Sequence, residues 1–188
     1  PGSPGASQLY YEIGGPNGGL QGFYPDYYGR GQNPPLVLPV SGRYTVYVRY
    51  NYDYRGEYRL RVTLAPSGSP FEVEGNDNPG AANPLNFALN NGHLRTKAPG
   101  YIGVYDSSGD FYRLGVLTPG TVVALGLTQP ATSPLAAVMG ICDAAGSLVT
   151  NSAVAGEQLQ FTVPANAGGA WFAQVKSANG SEGLRSQY

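Results

Sequence analysis

Apolar and polar residues alternate one by one along much of this chain. Tyr44, Val46, Val48 and Tyr50 alternate with Thr45, Tyr47 and Arg49. Tyr58, Leu60, Val62 and Leu64 alternate with Arg59, Arg61 and Thr63. A period of two with Arg and Thr on the second face is the pattern of a half-buried strand. Asp53-Tyr54-Arg55-Gly56 falls between the two runs and predicts a hairpin. Further strands are predicted at 7–13, 35–40, 111–117, 121–128, 135–142, 157–163 and 170–176. Turn signals separate them, among them Pro119-Gly120, Gln129-Pro130, Ala145-Gly146 and Gly168-Gly169. Helical periodicity is nearly absent. Many short strands punctuated in this way predict an all-β fold, an antiparallel β-sandwich.

The pattern also recurs. Ser3-Pro4 is followed by an apolar stretch through Tyr10, Tyr11 and Ile13, then Gly18 and Leu20, then Gly42-Arg43-Tyr44-Thr45-Val46-Tyr47-Val48, then Tyr58. Ser133-Pro134 is followed by Val138, Met139 and Ile141, then Gly146 and Leu148, then Gly169-Ala170-Trp171-Phe172-Ala173-Gln174-Val175, then Tyr188. Self-similarity of this kind is the signature of a repeat protein. The expected organisation is the second half of one module over 1–65, a linker of small residues and prolines over 66–70, and a near-complete module over 71–188. On this reading the chain opens inside one repeat, and Tyr188 stops short of the apolar run that follows Tyr58. It is then a segment of a longer array, and its partners are neighbouring copies or flanking repeats.

Composition narrows the function. Charged residues make up 12% of the 188 and the net charge is -1, so the chain lacks the basic footprint of a nucleic-acid binder. The 28 Gly and 16 Pro lie between alternating runs and read as turns rather than as low complexity. A single cysteine, Cys142, rules out an intrachain disulfide. No apolar stretch is long enough for a membrane span. Little Lys and much Tyr, Asn, Ser, Thr and Gly fit an extracellular or cell-surface bacterial protein.

Beyond residue 70 the series becomes specific. Phe71-Glu72-Val73-Glu74-Gly75-Asn76-Asp77-Asn78 leads to Ala81-Ala82, Asn91-Gly92-His93-Leu94 and Gly100-Tyr101-Ile102-Gly103. Then come Asp106, Asp110-Phe111-Tyr112-Arg113-Leu114, Leu117-Thr118-Pro119-Gly120-Thr121, Asp143-Ala144-Ala145-Gly146 and the run 169–175. In order and content this resembles the bacterial pre-peptidase C-terminal domain, in the form repeated in very long secreted proteins. The resemblance implies a jelly-roll-like sandwich and a non-enzymatic accessory or structural module. A related module in bacterial collagenases binds substrate and calcium; it is similar at Glu72, Glu74, Asn76 and Asp77, and less closely at Asp106 and Asp110.

Those six residues form the candidate metal site. Calcium takes about six to eight oxygen ligands, and Glu72 and Glu74 lie on one side of an extended segment. The competing reading has Asp77 and Asn78 capping a turn, Asp106 in an Asx-turn and Asp110 facing solvent. The tyrosines are the second feature, since eleven of fifteen precede residue 60. Tyr44, Tyr50 and Tyr58 fall on the predicted inward face. Phe23, Tyr24, Tyr27, Tyr28, Tyr47, Tyr52 and Tyr54 are the candidate interface, for protein contact or for a sugar platform. His93, in the Asn90-Asn91-Gly92 turn, has no serine motif to serve, and Cys142 in its apolar run reads as core. The expected function is therefore spacing, adhesion or assembly in a long surface or filament-forming protein. The alternatives are a carbohydrate- or collagen-binding module and an accessory domain of a secreted protease.

Overall fold

The computed structural model describes residues 9–25, 31–50, 57–66 and 69–188. The chain divides into two compact units between Leu60 and Arg61, ahead of the proline-rich segment 66–70. Among the described residues there is no helix, and every regular element is a strand.

The first unit holds β1 (Leu9–Gly15), β2 (Gly18–Phe23) and β3 (Thr45–Tyr50) in the order β2-β1-β3, antiparallel throughout. Leu9 and Tyr11 are its buried apolar residues, and Tyr11 stacks on Phe23 at 5.0 Å between ring centres. Arg49 and Glu12 form an ion pair of 3.2 Å on the more open face.

The second unit is larger. It contains β4 (Asn83–Pro84), β5 (Ala88–Asn90), β6 (His93–Arg95), β7 (Asp110–Leu117), β8 (Val122–Leu125), β9 (Ala137–Cys142), β10 (Leu148–Asn151), β11 (Leu159–Thr162) and β12 (Gly169–Ser177). Five strands form one sheet in the order β10-β9-β12-β7-β4, antiparallel except for the short parallel pair β4 and β7. β8 and β11 form a second, two-stranded sheet. Ile141, Trp171, Leu114 and Leu117 of the first sheet pack against Val123, Leu125, Leu159 and Phe161 of the second, which makes this unit an all-β sandwich. At the other end of the sheet, Ile102, Tyr112, Leu135, Ala137, Ala173 and Val175 form a second cluster beneath the 100–110 loop.

The two units contain the same three-strand arrangement. β1 pairs with β3 through Tyr11↔Val48, Ile13↔Val46 and Gly14↔Thr45. β9 pairs with β12 through Met139↔Val175, Ile141↔Ala173 and Cys142↔Phe172. The sequence correspondence of Tyr11 with Met139, Ile13 with Ile141 and the run 42–48 with 169–175 reproduces these pairs one for one. Each outer strand also carries a bulge at the same step. Ile13 and Gly14 face Gln21 and Gly19, which leaves Leu20 over, and Ile141 and Cys142 face Thr150 and Leu148, which leaves Val149 over. Leu20 thus matches Val149 in the sheet, one residue from the match with Leu148 that sequence alone suggests. An inserted residue at a fixed step bends a strand in a defined way.

Some sequence expectations fail. No strand forms over 58–64, where Tyr58, Leu60, Val62 and Leu64 are exposed and Arg61, Thr63 and Ala65 take the more covered positions. Alternation sets which side chains share a face, but a strand also needs a partner for its N–H and C=O groups, and none pairs here among the described residues. Nor does a strand form over 35–40, where Pro34, Pro35 and Pro39 remove ladder donors. Tyr50 and Tyr58 are 65% and 53% exposed, so neither is core, and Tyr44 is half-buried. The strands β2, β4, β5, β6 and β10 carry no signal in the sequence, because they are short or glycine-rich. His93 is not in the turn but opens β6; the turn itself is Asn91-Gly92, both with positive φ, as a tight hairpin requires.

Burial separates the two kinds of apolar position quantitatively. Trp171→Ala should cost about 3–5 kcal/mol in urea unfolding of the full chain. Leu64→Ala, at a residue 80% exposed, should stay within about 0.5 kcal/mol of the parent. A large loss at Leu64 would show that the 58–64 run is packed after all.

Candidate metal centre

The six predicted ligands come from two segments that the fold brings together. Glu72 to Asp77 run along the entry to the second unit. Asp106 lies within the 100–110 loop and Asp110 opens β7. Backbone bonds lock the segments: Phe111 N–H donates to Asn76 O at 2.9 Å, and Glu72 N–H to Pro99 O at 3.3 Å. The Asn83 side chain clasps Val73 from both sides, accepting from its N–H at 2.6 Å and donating to its carbonyl at 3.0 Å. Val73 points away and is partly exposed, so the residues on either side, Glu72 and Glu74, turn inward.

Single carboxylate oxygens of Glu72, Glu74 and Asp110 all lie within 4.8 Å of one another. Asn76 and Asp110 are fully buried, Glu72 is 3% exposed and Asp106 is 7% exposed. Asp110 does not face solvent, which overturns the turn-and-surface reading at that residue. Asp106 accepts from Gly109 N–H at 2.7 Å through Oδ1, a bond three residues on rather than the two of the expected Asx-turn. Asn78, not Asp77, caps the following turn, accepting from Ala81 N–H at 3.1 Å.

Two glycines make room. A Cβ at Gly103 would stand 2.7 Å from Glu74 Oε1, so a side chain there would displace the carboxylate. Gly109 has φ +72°, and a Cβ would collide with the Val175 carbonyl.

Tyrosine hydroxyls close the inner wall. Tyr188 donates to Asp110 Oδ2 at 2.6 Å. Its own oxygen lies 2.6 Å from the Tyr112 hydroxyl, which is then the donor of that pair. The backbone of Tyr188 is fixed by two 3.0 Å bonds with Gly100. Tyr101 donates to Glu74, and Arg61 stacks over the Tyr101 ring at 4.6 Å while bonding Gly100 O at 3.2 Å.

The electrostatics are lopsided. Five carboxylates (Glu72, Glu74, Asp77, Asp106, Asp110) gather around one guanidinium, Arg61. Burial, then Asp110 and Glu74, pushes Glu72 up to about 9, with Arg61 opposing. Burial pushes Glu74 up to about 7 against the Tyr101 hydrogen bond, with Asp106 and Asp77 adding. Burial pushes Asp110 up to about 8 despite the Tyr188 hydrogen bond. Asp106 is raised by burial and by Asp77, against the Gly109 bond. The tyrosine hydroxyls of 101, 112 and 188 are all held above their ordinary range, chiefly by burial, so they stay protonated donors.

This donor set fits a hard divalent cation. All the side-chain donors are oxygens, the choice for calcium or magnesium rather than for a soft metal. An ion with ligands at about 2.4 Å holds its oxygens no more than about 4.8 Å apart, which is the span the three carboxylates show. Asn76 Oδ1, Asp106 Oδ2 and Asp110 Oδ1 are buried and have no hydrogen-bond partner among the described residues.

The candidate interface residues are placed separately. Phe23 lies in β2 and is half-buried by its stack on Tyr11, so it is not part of a loop. Tyr24 is 59% exposed and leans on Tyr10 at 4.8 Å. Tyr47 is 45% exposed beneath the Arg49 guanidinium at 5.3 Å. Tyr27, Tyr28, Tyr52 and Tyr54 lie outside the described residues. Cys142 is packed among Ala82, Phe111 and Phe172, and burial raises its thiol. Among the described residues no helix is long and apolar enough to cross a membrane. Comparison of the chain with family models, curated proteins and solved structures finds no match.

The raised carboxylates fix the sign of a pH dependence. A group whose folded pKa lies above its unfolded value contributes fully below the unfolded value, near 4, and its contribution is lost as pH rises through the folded one. Metal-free protein should therefore melt at progressively lower temperature across the pH 5 to pH 9 interval, most steeply below about pH 7, where all three carboxyls are protonated when folded and ionised when unfolded, and the fall should level off as pH passes from 7 to 9. Asp110→Asn should shallow that fall. A melting temperature flat across the interval would contradict the arrangement.

Proposed function

We propose that this chain is part of a non-enzymatic, extracellular repeat protein built from calcium-stapled β-sandwich modules of the pre-peptidase C-terminal type. Its work is mechanical: spacing, adhesion or assembly. The observation that carries the repeat reading is the matched strand register and matched bulge of β2-β1-β3 and β10-β9-β12. Register is set by many side chains at once, and a slip of one residue turns every one of them to the other face.

Calcium would add positive charge to a cluster in which five carboxylates gather around the Arg61 guanidinium. Glu72, Glu74, Asn76, Asp106 and Asp110 would hold the ion, with Asp77 beside Asp106. The ion would tie the entry segment 72–77 to the loop 100–110 and to the start of β7, so the segment leading into the module loses its freedom. In a long array that stiffens each module where it begins.

The exposed rings of Tyr24 and Tyr47 support a second reading, a contact surface for polysaccharide or for a collagen-like protein. A glycan array or a collagen pull-down with Tyr24→Ala and Tyr47→Ala controls separates it from the first.

Two measurements test the main proposal. The parent reading frame should encode further copies of the module; a parent with no other copy would remove the repeat. Calorimetric titration with calcium should give one site, and calcium at a hundredfold excess over Kd should stabilise the fold by about 3 kcal/mol, seen as a rise in melting temperature. Glu72→Gln with Asp110→Asn should abolish both heat and rise. Heat that survives the double substitution would place the ion elsewhere.

A further inference from the structure

We infer that the outer edge of β3 is an acceptor site for one kind of strand, a β7-type strand donated by another module of the same kind. The inference rests on the repeat proposed above and adds which surface joins the copies and what it takes.

In the second unit β12 is paired on both sides, with β9 on one edge and β7 on the other. In the first unit β3 holds the position of β12, and among the described residues it pairs only with β1. The consequence shows in burial. Phe172, Ala173, Gln174 and Val175 are all buried, while their counterparts Thr45, Val46, Tyr47 and Val48 are exposed or half-exposed. An unpaired edge beside apolar side chains is a template for strand addition.

The register already present in the second unit specifies the donor. Phe172 faces Arg113, Ala173 faces Tyr112, Gln174 faces Phe111 and Val175 faces Asp110. Carried onto β3, a donor of that type runs antiparallel, with its Arg, Tyr, Phe and Asp opposite Thr45, Val46, Tyr47 and Val48. Tyr58 gives independent support. It corresponds in sequence to Tyr188, whose hydroxyl is bonded to Asp110 at the head of β7, yet Tyr58 is 53% exposed. A β7-type donor brings the aspartate that this tyrosine lacks among the described residues. A β7 already paired to its own β12 is not available, so the donor comes from a module whose β7 strand has no such partner. Acceptor and donor are different surfaces, so the contact is head-to-tail and propagates rather than closing into a pair.

The test uses the full chain and a labelled synthetic peptide with the sequence of residues 106–118. Saturable binding is expected, with slowed amide exchange over Thr45–Tyr50. Alternate N–H groups of a strand face its neighbour, so one of two peptides, carrying Phe111→Pro or Tyr112→Pro, should bind about tenfold or more weakly. Absence of saturable binding, equal binding by both proline peptides, or protection confined to Gly169–Ser177 would overturn it. Failure of the peptide with further copies in the parent frame removes the acceptor site alone, whereas a parent without copies removes the repeat.

Discussion

Asp110 is a wholly buried carboxylate, and the second unit is arranged around it. One oxygen accepts a hydrogen bond from Tyr188, the following residue bonds back to Asn76, and Glu72 and Glu74 stand within a single ion's reach. Burying a charge is costly unless it is paired or neutralised. The fold answers with hydroxyl donors on the inner side and gathers more carboxylates on the outer side. That second choice makes no sense as a device for stabilising a bare acid, because each neighbour raises the others.

The arrangement becomes coherent if a positive charge completes it, which is the basis for the proposed calcium. The same geometry gives such an ion a structural role. The segments it would touch are the entry to the module, the 100–110 loop and the head of β7, and Tyr188 reaches the same point from the far end of the chain. Elements separated by more than a hundred residues in sequence thus converge on a volume a few ångströms across. Loss of one carboxylate there removes charge repulsion and removes a ligand, so its effect on stability changes sign with the metal present.

The sheets express a different constraint. A strand's side chains are satisfied by its faces, but its backbone is satisfied only by its edges. β12 has both edges filled and is buried; β3 has one filled among the described residues and remains open. The same logic accounts for the run 58–64. Its alternation is as regular as that of β3, yet with no pairing partner among the described residues it forms no strand and its apolar residues are exposed.

Alternation and turn residues were enough to read the all-β class, most strands of the second unit and the correspondence between the runs around Ile13 and Ile141. These are local properties, carried by a period of two and by glycine and proline between runs. The six acidic and amide residues were also legible as a group, because four of them lie within six positions. What sequence could not supply was pairing. It did not reveal that 58–64 has no pairing partner among the described residues, that the glycine-rich segment 18–23 is a strand, or that Leu20 is the bulged residue, because each depends on the register with a second segment, whether adjacent, as β1 is to β2, or distant. Nor could it reveal that Asp110 is buried, with Tyr188 and Tyr112 behind it and Gly103 leaving space for Glu74. A carboxylate's environment is made by whatever the fold folds over it, and here that cover comes from residues up to 78 positions distant.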